Sequence, residues 1–242
     1  MSKYRERIYQ HYVNARHSPL TPASISGLTS RAPYLNKIIR EHFPSDRSAR
    51  IIDLGCGHGA VIHFAQTAGY QNVMGVDRSP EQVEEAQRLG IAGITEGDLS
   101  ESLESRSDES VDLIVAFDVI EHFTKDELVL FVDEINRVLR KGGKWIIHTP
   151  NGESPFAGRM RFWDFTHEQA FTRYSLAQLL VASGFSFVTC YENTPIPQGI
   201  KSTVRWILWK IFRGMLRVFI AAETGLLDDC IFSQNLLAVA VK

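Results

Sequence analysis

A chain of 242 residues, 44% of them hydrophobic, is long enough to bury a full core and suits one α/β domain with an embellishment. A formal net charge of -2, from 26 Lys and Arg against 28 Asp and Glu, gives no global pull toward nucleic acid. Cys56, Cys190 and Cys230 are odd in number and widely spaced, with no CxxC, which sets aside a disulfide framework and implies a reducing compartment. The first seven residues are charged and hold no apolar signal-peptide core, and no apolar run is long enough to span a bilayer, so a cytoplasmic location is expected.

The first fifty residues read as helical in two pieces, broken by Pro19, Pro22, Ser24, Ser26 and Gly27, with the second piece running from about Ala32 to His42. From Ile51 the pattern alternates. Strand-like runs are Ile51–Leu54, Val73–Asp77, Ile91–Glu96, Val111–Phe117 and Lys144–Thr149. Between them lie helices. One opens on Ser79 as N-cap with Pro80 in its first turn. Another, Lys125 to Arg140, carries Leu128, Phe131, Val132, Ile135, Val138 and Leu139 at helical spacing and stops at Gly142-Gly143. A helix from about Ser175 to Ser183, a strand at Phe187–Tyr191 and a final strand at Leu236–Val241 follow. This alternation predicts an α/β fold with a doubly wound parallel sheet and helices on both faces.

The most informative stretch is Ile51-Ile52-Asp53-Leu54-Gly55-Cys56-Gly57-His58-Gly59. A buried strand ends there and the backbone turns tightly, with glycine used where a side chain would clash or φ would be forbidden. An acid at a strand's C-terminal edge stands where open α/β sheets bind ligands. The glycines alone do not choose the cofactor, because Gly55-x-Gly57-x-x-Ala60 also satisfies the dinucleotide fingerprint of NAD enzymes, and Asp77 after the second strand would hold ribose hydroxyls in either case. The rest of the constellation separates the readings: Asp53 before the glycines, Gly97-Asp98-Leu99 after the third strand, Phe117-Asp118-Val119-Ile120-Glu121-His122-Phe123 after the fourth, and Leu139-Arg140-Lys141-Gly142-Gly143-Lys144 before the fifth.

With these motifs in this order, the chain resembles the class I S-adenosylmethionine-dependent methyltransferases from about Ser48 to Phe187. The resemblance implies a Rossmann-like seven-stranded sheet with an antiparallel last strand. It also implies roles. The Asp53-Gly55-Cys56-Gly57-Gly59 turn would wrap the methionine part of the cofactor. Asp77 would accept from the ribose hydroxyls, Arg78 would flank the adenine, Asp98 would accept from the adenine amino group beside Leu99, and Phe117 and Asp118 would line the floor below the sulfonium. Arg31 and Tyr34 from the N-terminal helices would reach the cofactor carboxylate or shield the methyl. The physics agrees: there is no pyrophosphate to neutralise, and a cationic sulfur favours a carboxylate-lined site. Within the family, Asp118-Val119-Ile120-Glu121-His122, His148-Thr149-Pro150-Asn151 and Asp164-Phe165-Thr166-His167-Glu168 resemble the ubiquinone-biosynthesis O-methyltransferase type and related sugar and polysaccharide methyltransferases.

Methyl transfer is an in-line displacement, so the protein mainly positions the nucleophile about 3 Å from the methyl and excludes water. A hydroxyl acceptor also loses a proton, for which histidine is the usual base near neutral pH. His122, His148 and His167 are the candidates, with His148 read rather as pointing into the sheet core or pairing locally and His122 and His167 favoured as catalytic. Glu121, His122 and His167 are also a candidate divalent-metal set, similar to that of plant small-RNA 2′-O-methyltransferases, here with Asp118 where that pattern has Glu. Mixed carboxylate and imidazole ligands suit Mg, Mn or Zn, and such a metal lowers a bound hydroxyl's pKa.

Residues 203–220 read as one helix. At about 100° per residue, Ile207, Leu208, Ile211, Phe212, Met215, Val218 and Phe219 share one face, with Arg205, Lys210, Arg213, Arg217, Trp206 and Trp209 on or beside the other. That is the pattern of an interfacial membrane helix and also of an amphipathic lid packed on the domain, with its tryptophans over the acceptor pocket or a dimer partner. The expected organisation is a helical cap at 1–47 and an S-adenosylmethionine-binding domain at 48–242, with an acceptor-site loop at 150–175 and an inserted helix at 200–223. The expected activity is O-methylation of a sugar, glycan or other small hydroxylated acceptor by a cytoplasmic enzyme, peripheral to the inner face of the membrane or homodimeric if the helix so acts. RNA 2′-O-methylation, NAD-dependent dehydrogenation and non-catalytic cofactor binding are the alternatives.

Overall fold

The computed structural model describes residues 3–12, 21–226 and 230–242. Its strands are β1 (Arg50–Leu54), β2 (Asn72–Asp77), β3 (Ile94–Glu96), β4 (Val111–Phe117), β5 (Leu139–Pro150), β6 (Phe187–Glu192) and β7 (Asn235–Val241). They form a seven-stranded sheet in the order β3-β2-β1-β4-β5-β7-β6. β1 to β5 run parallel, and β7 is antiparallel to both β5 and β6. The strand order reverses between β1 and β4, which is where such sheets open a ligand crevice beyond their carboxyl ends.

The helices are α1 (Lys3–Tyr9), α2 (Ala32–His42), α3 (Ala60–Thr67), α4 (Pro80–Arg88), α5 (Leu99–Glu104), α6 (Lys125–Val138), α7 (Ala157–Arg161), α8 (Arg173–Ala182) and α9 (Ile200–Thr224). On one face of the sheet, Leu128, Phe131, Val132 and Ile135 of α6 pack with Leu176 and Leu180 of α8 over Ile114, Trp145 and Ala238. On the other, Leu35, Ile38 and Ile39 of α2 join Ile62 and Ala65 of α3 against Ile51, Val115 and Val239. α2 therefore shares the core of the sheet it covers. A capping box fixes the start of α6: Thr124 accepts from the Glu127 amide, and the Glu127 carboxylate accepts from the Thr124 amide.

Several boundaries differ from those expected. β3 starts at Ile94 rather than Ile91, because Gly93 at φ +88° cannot continue a strand. α6 ends at Val138, two residues early, because Leu139 already pairs with Val111 across the sheet. The expected break before α2 is a 3₁₀ turn at Ile25–Ser30; Pro19 lies outside the described residues. The inserted helix α9 is longer than its apolar pattern, and no residue of it is buried.

Candidate active site

Beyond the carboxyl ends of β1 and β4 lies a cavity of about 900 Å³. That is at the upper end of the roughly 300–1,000 Å³ of ordinary ligand sites, room for a cofactor and an acceptor together. Of the residues expected to hold the cofactor, Arg31, Tyr34, Asp53, Gly55, Cys56, Gly57, Asp77, Arg78, Asp98, Leu99, Phe117 and Asp118 all line it. Gly59 does not reach the wall. It turns the chain into α3 at φ +82°, and a Cβ there would stand 2.4 Å from Ile94 Cδ1.

The glycine turn gives the cavity its floor. Gly55 has φ +70°, and a Cβ on it would meet Val119 Cγ2 at 2.5 Å. The turn exists so that backbone can approach the ligand closely. Beneath it Asp53 is 2% exposed, and neither of its carboxylate oxygens has a partner among the described residues. Burial, and then the charge of Asp77, push its carboxyl well above the usual range. A buried carboxyl left unsatisfied at a cavity wall is a socket for a cationic or hydrogen-bond-donating ligand. Asp77 Oδ2 accepts from the Gly57 amide at 2.7 Å and Oδ1 from the Ser79 amide at 2.9 Å, which holds the acid at the rim. Asp98 caps α5 through Oδ1, and its Oδ2 takes Arg78 Nη1 at 2.7 Å. The two residues expected at the adenine are thus joined in an ion pair.

Asp118 stands at φ +56°, a conformation uncommon outside glycine, and its amide donates to the His148 carbonyl at 2.8 Å. It faces the open cleft with 57% of its side chain accessible. Crowding by the wall works to raise its carboxyl. The charge and hydrogen bond of His148, followed by His122 and Arg31, outweigh this and hold it below the ordinary range. His148 Nδ1 lies 2.8 Å from Asp118 Oδ1, and Asn193 Nδ2 donates to His148 Nε2 at 3.3 Å. With both nitrogens engaged, His148 is the locally paired residue of the two readings it had.

His122, His167 and Glu121 meet at the far side of the cavity. One ligand atom from each lies within 4.8 Å of the other two. Glu121 is fully buried; its Oε2 accepts from Thr149 Oγ1 at 3.0 Å, and its Oε1 has no partner. Burial, and then Asp118, raise its carboxyl well above the usual range. Thr166 Oγ1 donates to Asp164 Oδ1 at 2.6 Å, so its 2.8 Å contact with His122 is donated by His122 Nδ1–H. His167 Nδ1 sits 3.0 Å from the Met160 carbonyl, which only accepts. Both rings therefore carry their proton on Nδ1 and present a lone pair on Nε2. His167 Nε2 is 4.0 Å from Glu121 Oε1, and the ring centroids are 4.8 Å apart. Burial, and then His167, push the His122 imidazolium down to about 4, so the ring is neutral near pH 7.

The loop holding His167 is tied to this wall. Glu168 and Gln169 amides donate to the Glu121 carbonyl, and Arg161 donates to the His167 and Glu168 carbonyls. From above, α1 closes the site: Arg5 is 6% exposed and pairs with Glu127 at 2.7 Å and Glu168 at 3.3 Å, while Tyr9 packs edge-on to His122. Tyr9, Tyr12, Thr149, Asn193 and the Asp164–Thr166 relay went unassigned in the sequence. Asp164 and Thr166 stood inside a motif already singled out, and their spacing before His167 was the available signal.

Most of the cavity wall, though not Arg5, Tyr9, Tyr12, Asn193 or Asn235, sits in a stretch that matches a known family. The model of the methyltransferase domain covers residues 28–190, more than half of the chain. The chain belongs to this methyltransferase-domain family. Among curated relatives it is 31% identical to cyclopropane mycolic acid synthase 3 of Mycobacterium tuberculosis over 53% of this chain and 46% of that one. It is likewise 31% identical to norajmaline N-methyltransferase of Rauvolfia serpentina over 54% of this chain and 48% of that one. The chain thus spans about half the length of the curated relatives it matches. A solved S-adenosylmethionine-dependent methyltransferase from Archaeoglobus fulgidus shares the fold at TM-score 0.64 and 16% identity, with both chains fully covered. The methyltransferase's cleft fits S-adenosylmethionine: the buried Asp53 with no partner among the described residues, the glycine cradle and the acids at the rim suit a cation-bearing nucleoside.

Proposed function

We propose that this methyltransferase moves the methyl group of S-adenosylmethionine to a hydroxyl of a small acceptor, of the sugar or glycan class. The observation that carries this reading is the grouping of His122, His167 and Glu121, one ligand atom of each lying within 4.8 Å of the others, with His167 Nε2 4.0 Å from Glu121 Oε1. The relatives' names span cyclopropane mycolic acid synthesis and N-methylation and so do not choose the acceptor atom.

When bound, S-adenosylmethionine supplies a methyl carbon already activated by its sulfonium, so the protein's task is placement and proton removal. Asp53 and the glycine turn would hold the amino-acid end, Asp77 would hold the ribose, and Asp118 would border the sulfonium. Tyr9, Arg5 and α1 cover the acceptor and exclude water. His167 or His122 takes the hydroxyl proton at Nε2; Thr166 and the Met160 carbonyl keep each ring in the tautomer that permits it.

Glu121, His122 and His167 also fit a divalent cation such as Mg, Mn or Zn, since one ligand atom of each lies within 4.8 Å of the others and both Nδ1 atoms are hydrogen-bonded. A cation there would lower the pKa of the acceptor hydroxyl. Two measurements test this: metal content of the purified protein, and activity after chelation and in Glu121→Gln. Bound metal lost in Glu121→Gln together with activity is the expected result. Full activity in both conditions would remove the metal and leave the histidines as base.

The same cluster would serve RNA 2′-O-methylation, but the net charge of -2 gives RNA little to bind. Turnover with a panel of sugar, phenol and RNA acceptors separates these readings, and turnover with none of them would favour a non-catalytic cofactor-binding role.

A further inference from the structure

α9 is turned inside out. An amphipathic helix on a domain normally buries its apolar stripe. Here the half-covered side is Trp206, Trp209, Arg213, Leu216 and Ile220, while Ile211, Phe212, Met215, Val218 and Phe219 are 54–67% exposed. Arg213 holds this orientation, bonding Glu192 at the end of β6 at 2.6 Å and lying over the Phe232 ring. Packing of the apolar stripe itself on the domain is thereby ruled out, and the tryptophans are on the side that meets the domain.

We propose that the outward stripe of α9 docks on an anionic membrane surface, lying in the interface without crossing it. The charge pattern selects this occupant. At about 100° per residue, Lys201 lies on the stripe at its N-terminal end, Arg205 flanks it on one side and Lys210, whose ammonium sits over the Trp206 ring, on the other, all exposed at the stripe's borders. α9 holds five of the chain's 26 basic residues and one of its 28 acidic ones, so the rest of the chain carries a formal charge of -6. An anionic bilayer would repel that body and attract this helix. Two copies of α9 laid face to face would instead oppose like charges. No helix among the described residues is long and apolar enough to cross a membrane, which fits a helix lying flat.

A second segment supports the placement. Phe156, Phe162, Trp163 and Phe165 are 60–80% exposed beside Arg159 and Arg161. Both segments adjoin the cavity: the excursion carrying α9 leaves the sheet after Asn193 and returns before Asn235, both on the cavity wall, and Trp163 lines the same cavity. Docking would bring the cavity mouth to the bilayer. That the acceptor is then an amphiphile of the bilayer rests on the methyl-transfer reading; docking itself does not.

Vesicle co-sedimentation, read without cofactor or acceptor, tests the docking. The proteins are the parent, Phe212→Ser with Phe219→Ser, and Arg205→Glu with Lys210→Glu, each checked for unchanged circular dichroism. The parent should pellet with vesicles of phosphatidylcholine and phosphatidylglycerol, and about tenfold or more weakly with phosphatidylcholine alone. Both variants should lose about tenfold or more of the anionic-vesicle affinity. Failure of the parent to pellet, or binding indifferent to the serine pair, would overturn the proposal. A lipid-free dimer in sedimentation velocity that the serine pair dissolves would also overturn it, assigning the stripe to a second copy.

Discussion

Asp53 shows how one residue can be placed by the fold and completed only by a ligand. A buried carboxyl with no partner costs the protein free energy that a bound donor or cation would offset. Asp53→Asn should therefore weaken S-adenosylmethionine binding by about 10- to 100-fold in calorimetric titration, while urea unfolding shows a protein at least as stable as the parent. His58, in the same turn, carries a second consequence. It is 6% exposed, and burial, followed by the charge of Arg31, pushes its imidazolium from 6.5 down to about 4. The folded protein then binds fewer protons than the unfolded chain between these values, so stability present above pH 6.5 is lost as pH falls toward 4. In urea unfolding, His58→Gln should show a shallower loss than the parent over that window, by up to about 1.4 kcal/mol per pH unit. Equal slopes would mean that His58 is protonated in the fold. Acids at the ends of strands were legible from their place after apolar runs. The partners that set their states, 20 to 44 residues distant for Asp77–Gly57 and Thr166–His122, were not.

The strands were the most legible elements, because each is a run of β-branched and apolar residues closed by glycine, acid or proline. Short helices such as α5 and α7 escaped, since five or six residues hold too little periodicity to show a face. α9 illustrates a different gap. A helical wheel says which residues share a side, but the side that meets the domain is decided by Arg213 and Glu192, 21 residues apart. The placement of α1 was equally hidden. Its anchor, Arg5, finds Glu127 and Glu168 across the cleft, and the hydrogen bonds hold Glu127 down at about 2 despite the burial that opposes this. Arg5→Ala should loosen α1 and raise the acceptor KM several-fold, with S-adenosylmethionine affinity unchanged. Faster amide exchange in residues 3–9 would confirm the cause; an unchanged KM would show that α1 does not cover the acceptor.

Across the whole molecule the chemistry divides along the cavity. Asp53, the glycine turn and Asp77 belong to the half built by β1 and β2; Glu121, His122 and His167 belong to the half built beyond β4 and roofed by the 151–171 segment, with Asp118 in the chain between them. On the proposed function the first half would cradle the cofactor and the second would deprotonate the acceptor, and the fold brings the two sets of residues to one space at the strand-order reversal. The cradle could be read from consecutive residues. The acceptor half draws on Tyr9, Thr149, Met160 and Thr166 from four separate stretches, and only folding assembles it. Calorimetric titration of the parent with S-adenosylmethionine, and separately with NAD, tests this division most directly. We predict one saturable site for S-adenosylmethionine per chain and no heat from NAD; a flat S-adenosylmethionine titration, or a saturable one for NAD, would contradict it.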